Sequence, residues 1–321
     1  MLRGVIPVIG TISTGMIGLL AATTAAFFWS IATVLYQRVG RVMPPVRLNL
    51  VKGIAAILVL GAVVGWEAWR SGGNPLALPM PLLWIMLISG VIGIGGGDTC
   101  YFAALNRIGP RRALLMFMLA PVLTAVVAWP LLGQELSPVQ AVGIALTCGG
   151  IAWVIAERTP GEGGGHADGL GLMFGVGAAV CQAAGALMSR YVFDQVDYGA
   201  APSALVRVVA GTAVLVFLLP LDKYLRTGSG NKDEPGVPPS RATTWSTLAV
   251  AMLLGTVLGI WLQQTAFKMS TNLGVASTLL STSPLWVLPI AAAAGERVTL
   301  RAVLGALLGI LGIALLLGVV G

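Results

Sequence analysis

AAFFWSIATVLYQR, residues 25–38, and AAVCQAAGALMSR, residues 178–190, are two versions of one pattern, and their separation organises the whole chain. Each is an apolar run closed by an arginine, Arg38 in one and Arg190 in the other. Further matches keep the same order. NLVKGIAA, from residue 49, lies over ALVRVVAG, from residue 204, and sets Lys52 opposite Arg207. Gly93 and Gly97 fall on Gly255 and Gly259, Ala104 on Ala266, and Pro121 on Pro284. Gly133, Gly143, Gly150 and Ile151 fall on Gly295, Gly305, Gly312 and Ile313. The offset drifts only from about 152 to about 162 residues, mostly because one loop in the second half is long. Any single match is weak, but a shared order at nearly constant offset marks an internal repeat.

What repeats is a set of membrane spans. The 321 residues are 57% hydrophobic and only 10% charged, which leaves too little polar surface for a water-soluble protein of this size. A span takes about 20 apolar residues, and ten such stretches can be marked, near 16–36, 45–66, 82–104, 112–132, 138–156, 169–190, 201–221, 245–267, 273–293 and 299–320. Arg3 before the first run gives it the look of a signal peptide, yet the run continues to Tyr36, so a retained first helix is expected. ERTPGEGGGHAD after the fifth run and the Gly, Pro and Ser-rich segment after the seventh read as flexible loops. Gly61 with Gly65, Gly171 with Gly175 and Gly305 with Gly309 have the four-residue spacing that lets helix backbones approach closely in lipid.

The expected fold is therefore an all-α integral membrane protein of ten transmembrane helices. Residues 16–156 form a first five-helix repeat, 157–168 a linker and 169–320 a second repeat. Five is odd, so the second repeat enters the bilayer from the opposite side and the two are inverted. Inverted repeats meeting near the midplane are a recurring plan of secondary transporters.

Several short motifs are similar to those of the EamA family of the drug/metabolite transporter superfamily. They are Trp29-Ser30, Lys52 and Arg207 in the second and seventh spans, Ala104-Leu105, Pro121 and Pro284, and Gly295-Glu296-Arg297 followed by Gly305. The first half departs from the last motif with Gly133-Gln134-Glu135, and Cys181 stands where Trp29 would recur. The resemblance implies a ten-helix carrier in the cell (inner) membrane, often an exporter of amino acids or other metabolites, with a central cavity between the halves. Lys and Arg in the loops, assigned to alternate sides, divide thirteen to four, which puts both termini outside under the positive-inside rule. The resemblance implies termini inside.

Asp98 is the one carboxylate well within an expected span, where its insertion costs roughly 2.5–3.5 kcal/mol. Its short side chain needs a partner, a wet cavity or a proton, which makes it the leading candidate for substrate binding or proton coupling. Gly95-Gly96-Gly97 before it would let the helix open and free backbone carbonyls. Trp29, Tyr101, Gln182, Gln263 and Gln264 are further substrate-binding candidates, because polar groups inside spans either bond a neighbouring helix or line a cavity. Lys52, Arg207, Pro121 and Pro284 are structural or coupling candidates, the long basic stems being able to snorkel. The expected cavity is walled by spans 1, 3, 4, 6, 8 and 9.

Other classes fit less well. An intramembrane protease or hydrolase would want a histidine or paired acids in the membrane, and the single histidine, His166, lies in a loop. A channel would want a charged ring or a filter loop. Cys100, Cys148 and Cys181 have neither disulfide nor metal-ligand spacing. The net charge of +7 forms no dense patch for nucleic acid. The expected partners are the lipid bilayer, a small-molecule solute and protons as coupling ion, with no cofactor.

Overall fold

The computed structural model describes residues 5–123, 127, 137–155, 168–222, 241–270, 276, 279–293 and 299–316, and every regular element among them is helical. In chain order the helices are α1 (Val5–Gly40), α2 (Pro45–Ser71), α3 (Met80–Pro110), α4 (Arg112–Leu123) and α5 (Pro138–Ile155) in the first half. The second half has α6 (Gly169–Gln195), α7 (Ala200–Leu218), α8 (Ala242–Met269), α9 (Ser283–Ala293) and α10 (Leu300–Leu316). Six of the helices hold stretches of 22 to 31 residues that are long and apolar enough to cross a membrane, in α1, α2, α3, α6, α7 and α8. The other four marked stretches, near 112–132, 138–156, 273–293 and 299–320, hold shorter apolar helices among the described residues. Glu135, His166, Gly295 and Glu296 lie outside the described residues.

Local chemistry sets the helix ends. Pro45 begins α2, where its missing N–H costs nothing, and Gly72 ends it at φ 66° with its N–H returned to the Ala68 carbonyl. Gly109, at φ 77° and ψ 168°, turns the chain between α3 and α4, a conformation that a side chain would obstruct.

α3 and α8 each widen into a π-helix at the matched glycine positions, over Val91–Asp98 and Met252–Leu258. Such turns are rare and concentrate at functional sites. They leave backbone carbonyls to be satisfied by side chains, since in lipid an unmet polar group costs several kcal/mol. Asn49 Nδ2 donates to the Ile94 carbonyl at 2.8 Å, and Thr99 Oγ1 donates to the Gly95 carbonyl at 2.6 Å. In the second half Trp29 Nε1 donates to the Gly255 carbonyl at 2.9 Å.

The two halves interlock. α1 packs on α8, α6 on α3, α2 on α7 and α5 on α10, so the main neighbours of each helix lie in the other half. Small residues make this possible: a Cβ on Gly97 would lie 3.0 Å from that of Cys181, and one on Gly150 would lie 2.9 Å from the Gly305 carbonyl oxygen. Large apolar side chains such as Leu58, Trp69, Met173, Phe217 and Leu300 are exposed on the outside, a distribution that lipid rather than water solvates.

Candidate functional site

The widened stretches of α3 and α8 face one cavity, whose wall takes residues from α1, α2, α3, α4, α6, α7 and α8, with Ser283 at the start of α9. Its volume is about 80 Å³. With roughly 10–15 Å³ needed for one water, it holds several waters or a compact solute.

α1 supplies a stripe. Trp29, Thr33 and Tyr36 are spaced to share one helix face, and all three line the cavity. Each is tied across to a widened helix. Trp29 donates to the Gly255 carbonyl, Tyr36 OH shares a 2.8 Å hydrogen bond with Thr256 Oγ1, and Thr33 Oγ1 shares one of 2.7 Å with Tyr101 OH. Phe117 of α4 closes an aromatic corner, its ring centroid 5.5 Å from that of Tyr101 and 6.4 Å from that of Trp29.

Two basic side chains reach the same space from opposite halves. Lys52 Nζ is paired with Asp98 Oδ2 and lies 5.1 Å from the centroid of the Phe102 ring. The Lys52 side chain is 4% exposed and that of Asp98 26%, so the ammonium is held in the wall while the carboxylate borders the open volume. Asp98 is the last residue of the π segment, whose glycines let α3 lie close against α6 and α7. Arg207 of α7 is buried. Its Nη1 donates to Gln264 Oε1 at 2.6 Å, and Gln264 Nε2 donates in turn to Ser203 Oγ at 2.5 Å.

Of the residues singled out in the sequence, Trp29, Asp98, Tyr101, Gln182 and Gln263 line the cavity, and Lys52 and Arg207 line it with them. Gln264 does not; it is fully buried behind Arg207. Pro121 and Pro284 are buried outside the lining. α2 and α7 therefore join the wall expected from spans 1, 3, 4, 6, 8 and 9. Thr33, Phe102, Phe117 and Thr256 are lining residues that the sequence reading passed over. For Thr33 the signal was its place four residues after Trp29 and three before Tyr36. Among the described residues no three His, Cys, Asp or Glu side chains come together as a metal site.

Away from the cavity, ion pairs join helix ends. Arg107 Nη1 meets Asp168 Oδ2 at 2.6 Å, and this hydrogen bond, more than any other influence, holds the Asp168 carboxyl below the usual carboxylate range. Lys268 Nζ meets Asp197 Oδ1 at 2.8 Å and lowers that carboxyl too. Arg47 Nε lies 3.5 Å from Asp222 Oδ2.

A solved crystal structure overlays this fold with a TM-score of 0.65 at 20% identity, covering 94% of this chain and 96% of that one. The uncharacterized inner membrane transporter YhbE of Escherichia coli (strain K12) is 25% identical over 214 residues, which are 64% of this chain and 60% of that protein. The same transporter from Escherichia coli O157:H7 and from Shigella flexneri matches to the same extent, so the match spans less than two thirds of these curated relatives. The EamA-like transporter family matches twice, over residues 16–156 and 169–318. Two family repeats across nearly the whole length, on a helical frame with membrane-spanning segments, make this a multi-pass membrane protein that belongs to the EamA-like transporter family.

Proposed function

We propose that the protein is a secondary carrier that exports a small metabolite, such as an amino acid or a related compound, by alternating access between two inverted repeats. The observation that carries this reading is the cavity itself. Both halves contribute matched helices to it, and matched basic residues, Lys52 and Arg207, project into it. Inversion is supported by the helix-end ion pairs. On a path that crosses the bilayer with each helix, Arg107 and Asp168 share one face, as do Arg47 and Asp222, while Lys268 and Asp197 share the other.

Protons are the proposed coupling ion, with Asp98 as the group that takes them up. Protonating it would release Lys52 into the cavity, which couples the charge state of the wall to its occupancy. The test is counterflow in proteoliposomes with a panel of amino acids and nucleosides, with and without a pH gradient. Saturable, temperature-dependent flux is the expected result. Flux that grows linearly with solute concentration would make the protein a pore, and no flux of any solute would remove the carrier reading.

A further inference from the structure

The charges that line the cavity do not balance. Among the described residues they are Lys52, Asp98 and Arg207, and Lys52 and Asp98 neutralise one another by direct contact. Arg207 is 2% exposed, its hydrogen-bond partner is neutral, and the acid whose charge acts on it, Asp98, is the one already paired with Lys52. Gln264 takes its Nη1, while its Nε has no acceptor. Gly93 and Gly185 form a slot around Nη2, where a Cβ on either would stand 2.8 or 2.9 Å from that nitrogen. A second unmet donor lies on the same cavity: Gln263 is 3% exposed and its Nε2 has no acceptor. A buried guanidinium that shares its acid with another base is costly, and buried donors are rarely left unmet.

The repeat says what is missing. Lys52 and Arg207 occupy corresponding places, and Lys52 has its acid in Asp98. The position corresponding to Asp98 is Ile260, 162 residues later, which also lines the cavity. The second half thus keeps the base and lacks the acid.

We propose that the solute carries a carboxylate, which docks on Arg207 with Gln263 as a second donor and fills the role in the second half that Asp98 has in the first. A planar carboxylate matches the planar donor fork of a guanidinium, and the docked anion brings the charge of the cavity wall to zero. Asp98 is already engaged by Lys52, so selection falls on the acidic end of the solute rather than on an amino group. This inference rests on the carrier reading, so binding and flux are measured separately.

The experiment follows the unfolding midpoint of the purified full-length protein in detergent. The probes are the common amino acids and the two- to six-carbon mono- and dicarboxylates, each paired with its carboxamide. At least one acid raises the midpoint, and its amide needs roughly 10- to 100-fold higher concentration for the same effect, the ratio expected for a hydrogen-bonded charge. Arg207→Gln abolishes that discrimination. Ile260→Asp supplies the missing acid from within, so it raises the ligand-free midpoint and weakens binding of the acid by at least about tenfold, on the same reasoning. The proposal is overturned if no acid shifts the midpoint, if acid and amide act alike, or if Ile260→Asp binds the acid as the native protein does. Acid binding without flux in proteoliposomes would leave the anion site standing and remove the carrier reading. Flux restricted to solutes without an acidic group would do the reverse.

Discussion

Replacing Asp98 by Asn keeps the size and hydrogen-bonding capacity of the side chain and removes its charge, which strands the Lys52 ammonium in a wall where it is 4% exposed. Breaking a buried ion pair from one side costs roughly 3–5 kcal/mol. Two features reduce this. Asp98 is 26% exposed, so water already screens part of the attraction, and the Phe102 ring remains near the ammonium at 5.1 Å. A cation over an aromatic face recovers about 0.5–1 kcal/mol or more, which leaves an expected loss of about 2 kcal/mol. Lys52→Met should cost a comparable amount, because it strands the carboxylate instead. The double variant removes both charges together and should lose only about 1 kcal/mol of the roughly 4 to which the single losses add, giving a coupling energy of about 3 kcal/mol, at the top of the range seen for contacting residues. The assay is reversible denaturant unfolding in mixed micelles for the four proteins of the cycle. A coupling energy below about 0.5 kcal/mol would refute the pairing as an energetic element of the fold. Unchanged flux and unchanged pH dependence in Asp98→Asn would separately remove its coupling role.

Trp29→Phe retains the ring beside Phe117 but loses the donor to the Gly255 carbonyl, so it should destabilise by about 1–3 kcal/mol in the same unfolding assay; no change would mean that water reaches that carbonyl. Gly150→Val should cost about 1–3 kcal/mol through overpacking, because its Cβ would press on backbone atoms of Gly305 and Gly309, whereas Gly149→Val, facing open space, should be silent. Equal effects would refute close packing of α5 on α10. Asp168→Asn keeps the helix cap to Leu170 N–H and removes only the charge that Arg107 meets. Because that carboxyl is held below its ordinary value, its contribution is complete above about pH 4 and is lost as the pH falls through the lowered value. The acid limb of the thermal-stability profile should therefore be shallower in Asp168→Asn, and coincident profiles would dismiss the ion pair as a source of stability.

The helical, membrane-embedded character of the chain was legible because lipid forces a signal of composition on every span, and the repeat was legible because glycine and proline positions are fixed by packing. The pairing of Lys52 with Asp98 was legible only in part. The residues are 46 apart, and a linear reading offers Lys52 as one partner for Asp98 beside a backbone group or a hydrated interface, without choosing among them, although two opposite charges inside a membrane are each other's cheapest partners. Gln263 and Gln264 carry the same side chain one position apart. Successive helical residues are turned by about 100°, so Gln263 lines the cavity while Gln264 reaches Arg207 and Ser203. Only the rotation of α8 decides between them, and the widened segment upstream, which no hydropathy pattern encodes, sets that rotation.

The π segments have a consequence for what changes of length the chain can bear. A residue added to or removed from a helix shifts everything beyond it by about 100° around the axis and 1.5 Å along it. Val91–Asp98 stands directly upstream of Tyr101 and Phe102, and Met252–Leu258 directly upstream of Ile260 and Gln263. The azimuth of these four lining residues is thus stored as a residue count. Deleting Gly96 alone would swing Asp98 away from Lys52 and carry the downstream aromatic rings off the cavity, although every one of those side chains would still be present. At these two places the number of residues constrains the protein more tightly than their identity, and deletions there should abolish function where a change of Gly96 to Ala, whose Cβ would lie 3.7 Å from the Cys181 sulfur, is absorbed.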